Sequence, residues 1–180
     1  TPARIIQTMV TEYQKILDGM LKSRLQIRGL TELEMVTLAS IIEGEAIYDS
    51  ERPLISSVYH NRLAKEMRLQ ADPTIQYIIE DGPRRLLKND LKIKSPYNTY
   101  LHYGLPPGPI NSPGRESLIS ALSPADADYL FFVANGEGYH TFSRTETEHN
   151  VAKKKFQRLR RKMRNEKRAK TENKQGLLNE

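Results

Sequence analysis

Apolar residues recur at helical spacing along most of the chain and alternate, strand-like, only near residues 129–143. Ile6, Met9, Val10, Tyr13, Leu17 and Met20 follow Thr1-Pro2, an N-cap residue with proline at the first helical position, and predict an amphipathic packing helix to about Ser23. Gly29-Leu30 closes the connection to a second helix, opened by Thr31-Glu32-Leu33-Glu34, in which Thr31 and Glu34 fit a capping box. This helix is predicted to reach about Tyr48 with Met35, Leu38, Ala39, Ile42 and Ala46 as one apolar stripe. A third helix spans about Glu51 to Lys65, a short fourth Thr74 to Ile79, and a fifth runs from Ser112-Pro113 to Leu122. Pro73 is expected to keep Asp72 out of helical geometry. Tyr129 to Ala134 reads as a strand, Asn135-Gly136-Glu137-Gly138 as a hairpin turn, and Tyr139 to Ser143 as the return strand. A last helix from about Thr145 keeps Ala152, Phe156, Leu159 and Met163 on one side, and residues 164–180 are predicted to be a basic disordered tail. The fold class is therefore α+β, mostly helical, with a small antiparallel sheet, a basic C-terminal helix and one domain over residues 1–163.

Charge changes this picture at one end only. Residues 151–180 carry twelve Lys and Arg against three acids, so the net charge of +6 belongs to the tail and the remaining body is slightly acidic. A basic amphipathic helix is a candidate contact for an anionic polymer or a membrane surface, with a docked helix and a solvated face as the plain alternative. Nucleic acid is not an expected partner, because the body is acidic and no familiar nucleic-acid motif is present. The absence of Cys excludes disulfides, thiolate nucleophiles and Cys-based zinc sites. His60, His102, His140 and His149 show no metal-ligand spacing, and no cofactor is expected. Leu130 to Ala134 is the longest clean apolar run, far short of a membrane span, so the chain is expected to be soluble. It begins Thr-Pro without a signal peptide, as a fragment of a longer protein would.

Candidate chemistry centres on Glu43 and Glu45, two carboxylates in an apolar helix, where acids are rarely buried without a partner or a use. Two residues apart, they fall on opposite borders of the stripe and cannot point the same way. A carboxyl among Leu38, Ile41 and Ile42 loses hydration, which raises its pKa and suits it to donate a proton near neutrality. Periodicity favours Glu45 only slightly, and two solvated helix-edge acids are the alternative. Gly44 between them is a mid-helix glycine that calls for a packing or functional reason. Two loop-rich stretches add polar groups: Leu69-Gln70-Ala71-Asp72-Pro73-Thr74, and residues 95–114 with Tyr97-Asn98-Thr99-Tyr100 and Gly104-Leu105-Pro106-Pro107-Gly108-Pro109-Ile110. Rigid loops presenting Tyr, Asn and Thr suit sugar binding, and a structural Ω-loop is the competing reading. Asn61-Arg62-Leu63 reads as ordinary surface chemistry, and His140 lies opposite Tyr139 and Thr141 on its strand.

Taken in order, the helix Leu38 to Glu45, Asn61-Arg62-Leu63, Leu69 to Thr74, Tyr97 to Tyr100, Gly104 to Ile110 and Tyr129 to Phe142 resemble the catalytic domain of the bacterial endolytic murein transglycosylase, or YceG-like, family. The similarity covers about residues 5 to 160. It implies cleavage of peptidoglycan between N-acetylmuramic acid and N-acetylglucosamine without water, leaving 1,6-anhydromuramyl ends. It also implies that the catalytic acid is Glu45, with Glu43 in reserve. Asn61, Gln70, Asp72, Thr74, Tyr97, Asn98, Thr99, Tyr100 and, less directly, His140 are the implied substrate-binding residues. Implied partners are glycan strands and peptidoglycan synthases, at the outer face of the cytoplasmic membrane in the bacterial cell envelope, with a role in ending nascent strands. A non-catalytic peptidoglycan-binding module is the alternative. The family usually has Lys and Thr around its glutamate, whereas this chain has Gly44 and Ala46. It also normally carries an N-terminal membrane helix and a LysM-like domain, neither of which is in this sequence.

Overall fold

The capping box at Thr31 forms: the Thr31 hydroxyl accepts from the Glu34 amide at 3.2 Å, and the Glu34 carboxylate accepts from the Thr31 amide at 2.8 Å. It starts α3 (Glu32–Glu45), around which the first part of the fold is built. The structure, a computed structural model, describes residues 1–17 and 21–176, with side chains as far as residue 166. Met35, Leu38, Ala39, Ile41 and Ile42 are fully buried, and so are the polar Thr37 and Ser40. Beyond the apolar stripe expected on this helix, whose Met35, Leu38, Ala39 and Ile42 are buried, α3 is enclosed around most of its circumference between Met35 and Ile42, because α4 (Arg52–Ala64), α5 (Asp72–Ile78) and α6 (Arg115–Leu122) all pack against it. Burial of each large aliphatic side chain there contributes roughly 1.5–3 kcal/mol.

Two polar residues that sit awkwardly in such a core explain themselves by what they hold. The Ser40 hydroxyl accepts from the Ile110 amide at 3.0 Å, while Asn111 donates its side-chain amide to the Ser40 carbonyl at 2.8 Å, so the proline-rich loop is fastened to α3. Ser56 donates to the Ser120 carbonyl at 2.7 Å and joins α4 to α6.

Several boundaries differ from the sequence reading. The N-terminal segment gives α1 (Pro2–Ile16), with Thr1 at the N-cap, and α2 (Lys22–Arg28), which ends on Gly29 in the left-handed conformation, φ 64°; residues 18–20 between them lie outside the described residues. Within α1 no residue is fully buried, and Ile5, Ile6 and Met9 are each about 60% exposed; of the expected packing stripe, Tyr13 is half-buried and Leu17 buried, and Met20 lies outside the described residues. α3 stops at Glu45, short of Tyr48, and Ala46 turns away in extended geometry before a 3-10 turn at Asp49–Glu51 leads into α4. Asp72 is the first residue of α5, with proline in the first turn, where a missing N–H leaves no hydrogen bond broken.

The chain forms two compact units, one from Thr1 to Ala127 and one beginning at Asp128. In the second, β1 (Phe131–Ala134) and β2 (His140–Ser143) pair antiparallel with Phe132 opposite Phe142 and Ala134 opposite His140. α7 (Glu146–Gly176) packs on this hairpin through Phe156 and Leu159 at Gly136 and through His149, whose ring stacks on Phe131 at 5.1 Å. α7 is helical as far as Gly176, within the segment expected to be a basic disordered tail, and is rich there in helix-favouring Lys, Arg, Glu and Ala; residues 177–180 lie outside the described residues. Among the described residues, no helix is long and apolar enough to cross a membrane.

Candidate active site

The two acids of α3 have separate fates. Glu43 faces the N-terminus of α6, where its Oε2 accepts from Arg52 Nη1 at 3.1 Å, Ser117 Oγ at 2.8 Å and the Gly114 amide at 3.1 Å. Arg52 is buried and also holds Asp49 at 2.8 Å, so Glu43 is engaged in fastening α3 to α4 and α6.

Glu45, the last residue of α3, turns toward the inner face of α4. Tyr59 Oη donates to Glu45 Oε1 at 2.8 Å, and the Tyr59 ring is almost completely buried. Glu45 keeps a partial opening to solvent. Burial, the strongest influence, pushes its pKa from 4.5 up to about 7 against the opposing hydrogen bond from Tyr59; the charge of Asp72 adds to the rise and that of Arg62 counters it. The negative end of the α3 dipole acts in the same upward direction. Among the described acids whose pKa is shifted, Glu45 is the one that moves upward.

Arg62, one turn beyond Tyr59 on α4, is buried and donates through Nη1 to the carbonyls of Leu69 at 2.7 Å and Arg68 at 3.2 Å. This pins the approach to Gln70, whose φ of 49° lies in the left-handed region. The Gln70 amide donates to the Thr99 carbonyl at 3.1 Å, and the Ala71 amide to Thr99 Oγ1 at 3.0 Å. Thr74 Oγ1 meets Thr99 Oγ1 at 2.9 Å and donates to the Ala71 carbonyl at 2.7 Å. Asn98 is fully buried: its Nδ2 donates to the carbonyls of Ile93 and Leu91, and its Oδ1 accepts from the Tyr100 amide. The result of this bracing is that Tyr100 Oη donates to the exposed Asp72 at Oδ1, 2.5 Å away, on the side of Glu45.

Gly44 has the packing reason sought for it. A Cβ at this position would stand 2.6 Å from Pro73 Cβ and 2.9 Å from Cγ, so α3 and the start of α5 touch through a bare backbone. Gly44→Ala is expected to lower stability by about 1–2 kcal/mol despite alanine's better helix propensity, read as a lower urea midpoint at unchanged slope. A variant as stable as the parent would mean that Pro73 yields freely.

Of the residues implicated by sequence, the structure brings Glu45, Asp72 and Tyr100 together and leaves Gln70 exposed beside them. Thr74, Asn98 and Thr99 brace the loops from within. Tyr97 lies with its ring centroid 4.9 Å from that of Tyr77, which is half exposed. Asn61 donates to the Ala127 carbonyl at 2.8 Å, and His140, in the second unit, sets its ring edge-on to Phe132 at 5.1 Å. Tyr59, Arg62, Tyr77 and Ser40 were missed. A signal for two of them exists, because Ile55, Val58, Tyr59 and Arg62 follow the i, i+3, i+4, i+7 pattern and mark Arg62 as an inward position. Among the described residues, no group of three His, Asp or Glu side chains could hold a metal ion.

A family model described as the YceG-like family matches residues 1–155. The endolytic murein transglycosylase of Bacillus subtilis is 41% identical over 152 residues, which cover 84% of this chain and 42% of that protein. The endolytic murein transglycosylase of Streptococcus pneumoniae is 33% identical over 158 residues, covering 82% of this chain and 29% of that protein. A crystal structure of a protein described as yceG-like from Listeria monocytogenes superposes with a TM-score of 0.75 at 40% identity, covering 84% of this chain and 48% of that one. The chain thus spans less than half the length of each of these relatives.

Proposed function

Since the chain belongs to the YceG-like family, we propose that it is an endolytic lytic transglycosylase of peptidoglycan in which Glu45 serves first as acid and then as base. The observation that carries this reading is a carboxyl with its pKa raised to about 7 by burial and fixed at one oxygen, on a residue that is only partly enclosed.

A hydrolytic glycosidase needs two carboxyl groups about 5–9.5 Å apart, one of them to activate water or attack the sugar. A lytic transglycosylase needs one, because the muramyl 6-hydroxyl is already part of the substrate. Protonated Glu45 gives its proton to the glycosidic oxygen as the bond from that oxygen to the muramyl anomeric carbon breaks. The resulting carboxylate then takes the proton of the 6-hydroxyl as its oxygen bonds to the same carbon, which closes the 1,6-anhydro ring and restores the acid. Asp72, oriented by Tyr100, supplies negative charge beside the oxocarbenium-like centre, and Arg62 keeps the two carboxylates compatible. Tyr97 with Tyr77 forms a surface on which a sugar ring can stack, Gln70 offers its amide, and Thr74, Asn98 and Thr99 act by holding these in place. On this reading the chain works on glycan strands in the bacterial cell envelope, with peptidoglycan synthases as partners and nascent strands as targets.

Mass spectrometry of peptidoglycan digested by this chain tests the proposal. Anhydromuramyl ends are expected. Reducing ends would make water the nucleophile and require a second catalytic carboxylate, and binding without cleavage would leave a peptidoglycan-binding module.

A further inference from the structure

We propose that Tyr59 is a positioning residue that gives the two oxygens of Glu45 fixed and different roles: Oε1 is held by the Tyr59 hydroxyl, and Oε2 alone carries the proton to and from the glycan. The inference rests on the transglycosylase reading for its chemistry and on the contact itself for its geometry. Tyr59 is 1% exposed, its ring sits on the inner face of α4, and its hydroxyl lies 2.8 Å from Oε1. If the acid carried its proton on Oε1, that proton would point at a buried phenol and away from any glycan. Delivery is productive only from Oε2, and the Tyr59 hydrogen bond makes this the resting arrangement. The same bond orients the carboxyl after proton transfer, when Oε2 must face the 6-hydroxyl as a base.

The groups facing Glu45 come from three elements: Tyr59 and Arg62 from α4, Asp72 from α5, and Tyr100 from the loop that follows. Arg62 and Asp72 act on it through charge, and Tyr59 by a direct hydrogen bond. Burial and the adjacent carboxylate hold the phenol itself in its protonated form, so it donates a hydrogen bond without giving up its proton.

Tyr59→Phe keeps the ring and removes one oxygen. The Glu45 carboxyl is followed by carbon NMR in glutamate-labelled protein, assigned by its loss in Glu45→Gln. Because the Tyr59 hydrogen bond favours the carboxylate, its removal is expected to move the Glu45 titration up by about one to two pH units. The alkaline limb of the cleavage profile should move with it, and kcat should fall roughly ten- to a hundredfold with KM nearly constant. Cooperative thermal unfolding of the variant establishes that the fold is retained. An unmoved Glu45 titration would overturn the inference whatever happens to activity, since a purely structural tyrosine lowers stability without shifting that midpoint. A moved titration in a protein whose parent does not release anhydromuramyl ends would keep the coupling and overturn the transglycosylase reading.

Discussion

Glu45→Gln is expected to lower glycan cleavage by at least about a hundredfold, up to about ten-thousandfold, and at the same time to make the protein more stable above neutral pH. Glutamine keeps the shape of the side chain and can still accept the Tyr59 hydrogen bond, but it can neither donate the proton that the leaving oxygen needs nor take one from the 6-hydroxyl. In the proposed mechanism both halves of the reaction pass through this residue, so no partial activity should survive in one of them. The gain in stability follows from linkage. A carboxyl whose pKa is raised to about 7 in the folded protein holds its proton more tightly folded than unfolded. Its contribution therefore declines as pH climbs from the ordinary carboxylate range toward 7 and stays at the lower level above that. Glutamine removes this dependence, and its advantage should grow from near zero at pH 5 to the order of 1–3 kcal/mol at pH 8. Urea unfolding of both proteins at the two pH values measures it. An equal difference at both would mean that Glu45 titrates normally, and persistent cleavage would remove it from the mechanism.

Arg62→Met should have the opposite effect on stability. It is expected to cost about 2–4 kcal/mol, because the Arg68 and Leu69 carbonyls lose their donor in a buried setting that methionine can fill but cannot satisfy. The segment released is the one that carries Gln70 in its left-handed conformation and leads into Asp72, so the Asp72–Tyr100 pair loses its fixed position as well. Removal of the positive charge also lets the Glu45 pKa rise further. Cleavage should fall although more of the acid is protonated at pH 8, which separates geometry from protonation. Lysine should rescue it only in part: the single Nη1 bonds both carbonyls, a role one ammonium nitrogen can fill, but the ammonium is more strongly hydrated and costs more to bury. A midpoint in urea equal to that of the parent would show that these carbonyls have other donors.

Helices with strong local signals were legible in the sequence. Thr31 to Glu34 fixed the start of α3 within a residue because a capping box is a local hydrogen-bonding device, and Asn135-Gly136 located the hairpin for the same reason. The surroundings of α3 were not legible from its own pattern. A helix enclosed by three others needs no polar face, and the pattern gives no reason for burying Thr37 and Ser40; the group that bonds the Ser40 hydroxyl, the Ile110 amide, is distant in sequence. Periodicity could not separate Glu43 from Glu45 either, since each borders the same apolar stripe, on opposite edges. The difference lies in residues distant along the chain, Arg52 and Ser117 for one acid and Tyr59 for the other. α1 departs in the reverse way: its amphipathic pattern is clear, yet Ile6, Met9 and Val10 stay exposed and only the far end of that face, at Tyr13 and Leu17, is covered.

The enclosure of α3 also decides where the first unit can breathe. The amides of Leu38 to Ile42 can meet solvent only when α4, α5 and α6 separate from them together, which requires close to the full unfolding free energy. α1, with nothing buried, opens at little expense. In the proposed mechanism the acid thus sits just beyond the segment expected to exchange most slowly, and adjustment to a glycan strand would fall to the exposed rim around Gln70, Asp72 and Tyr77.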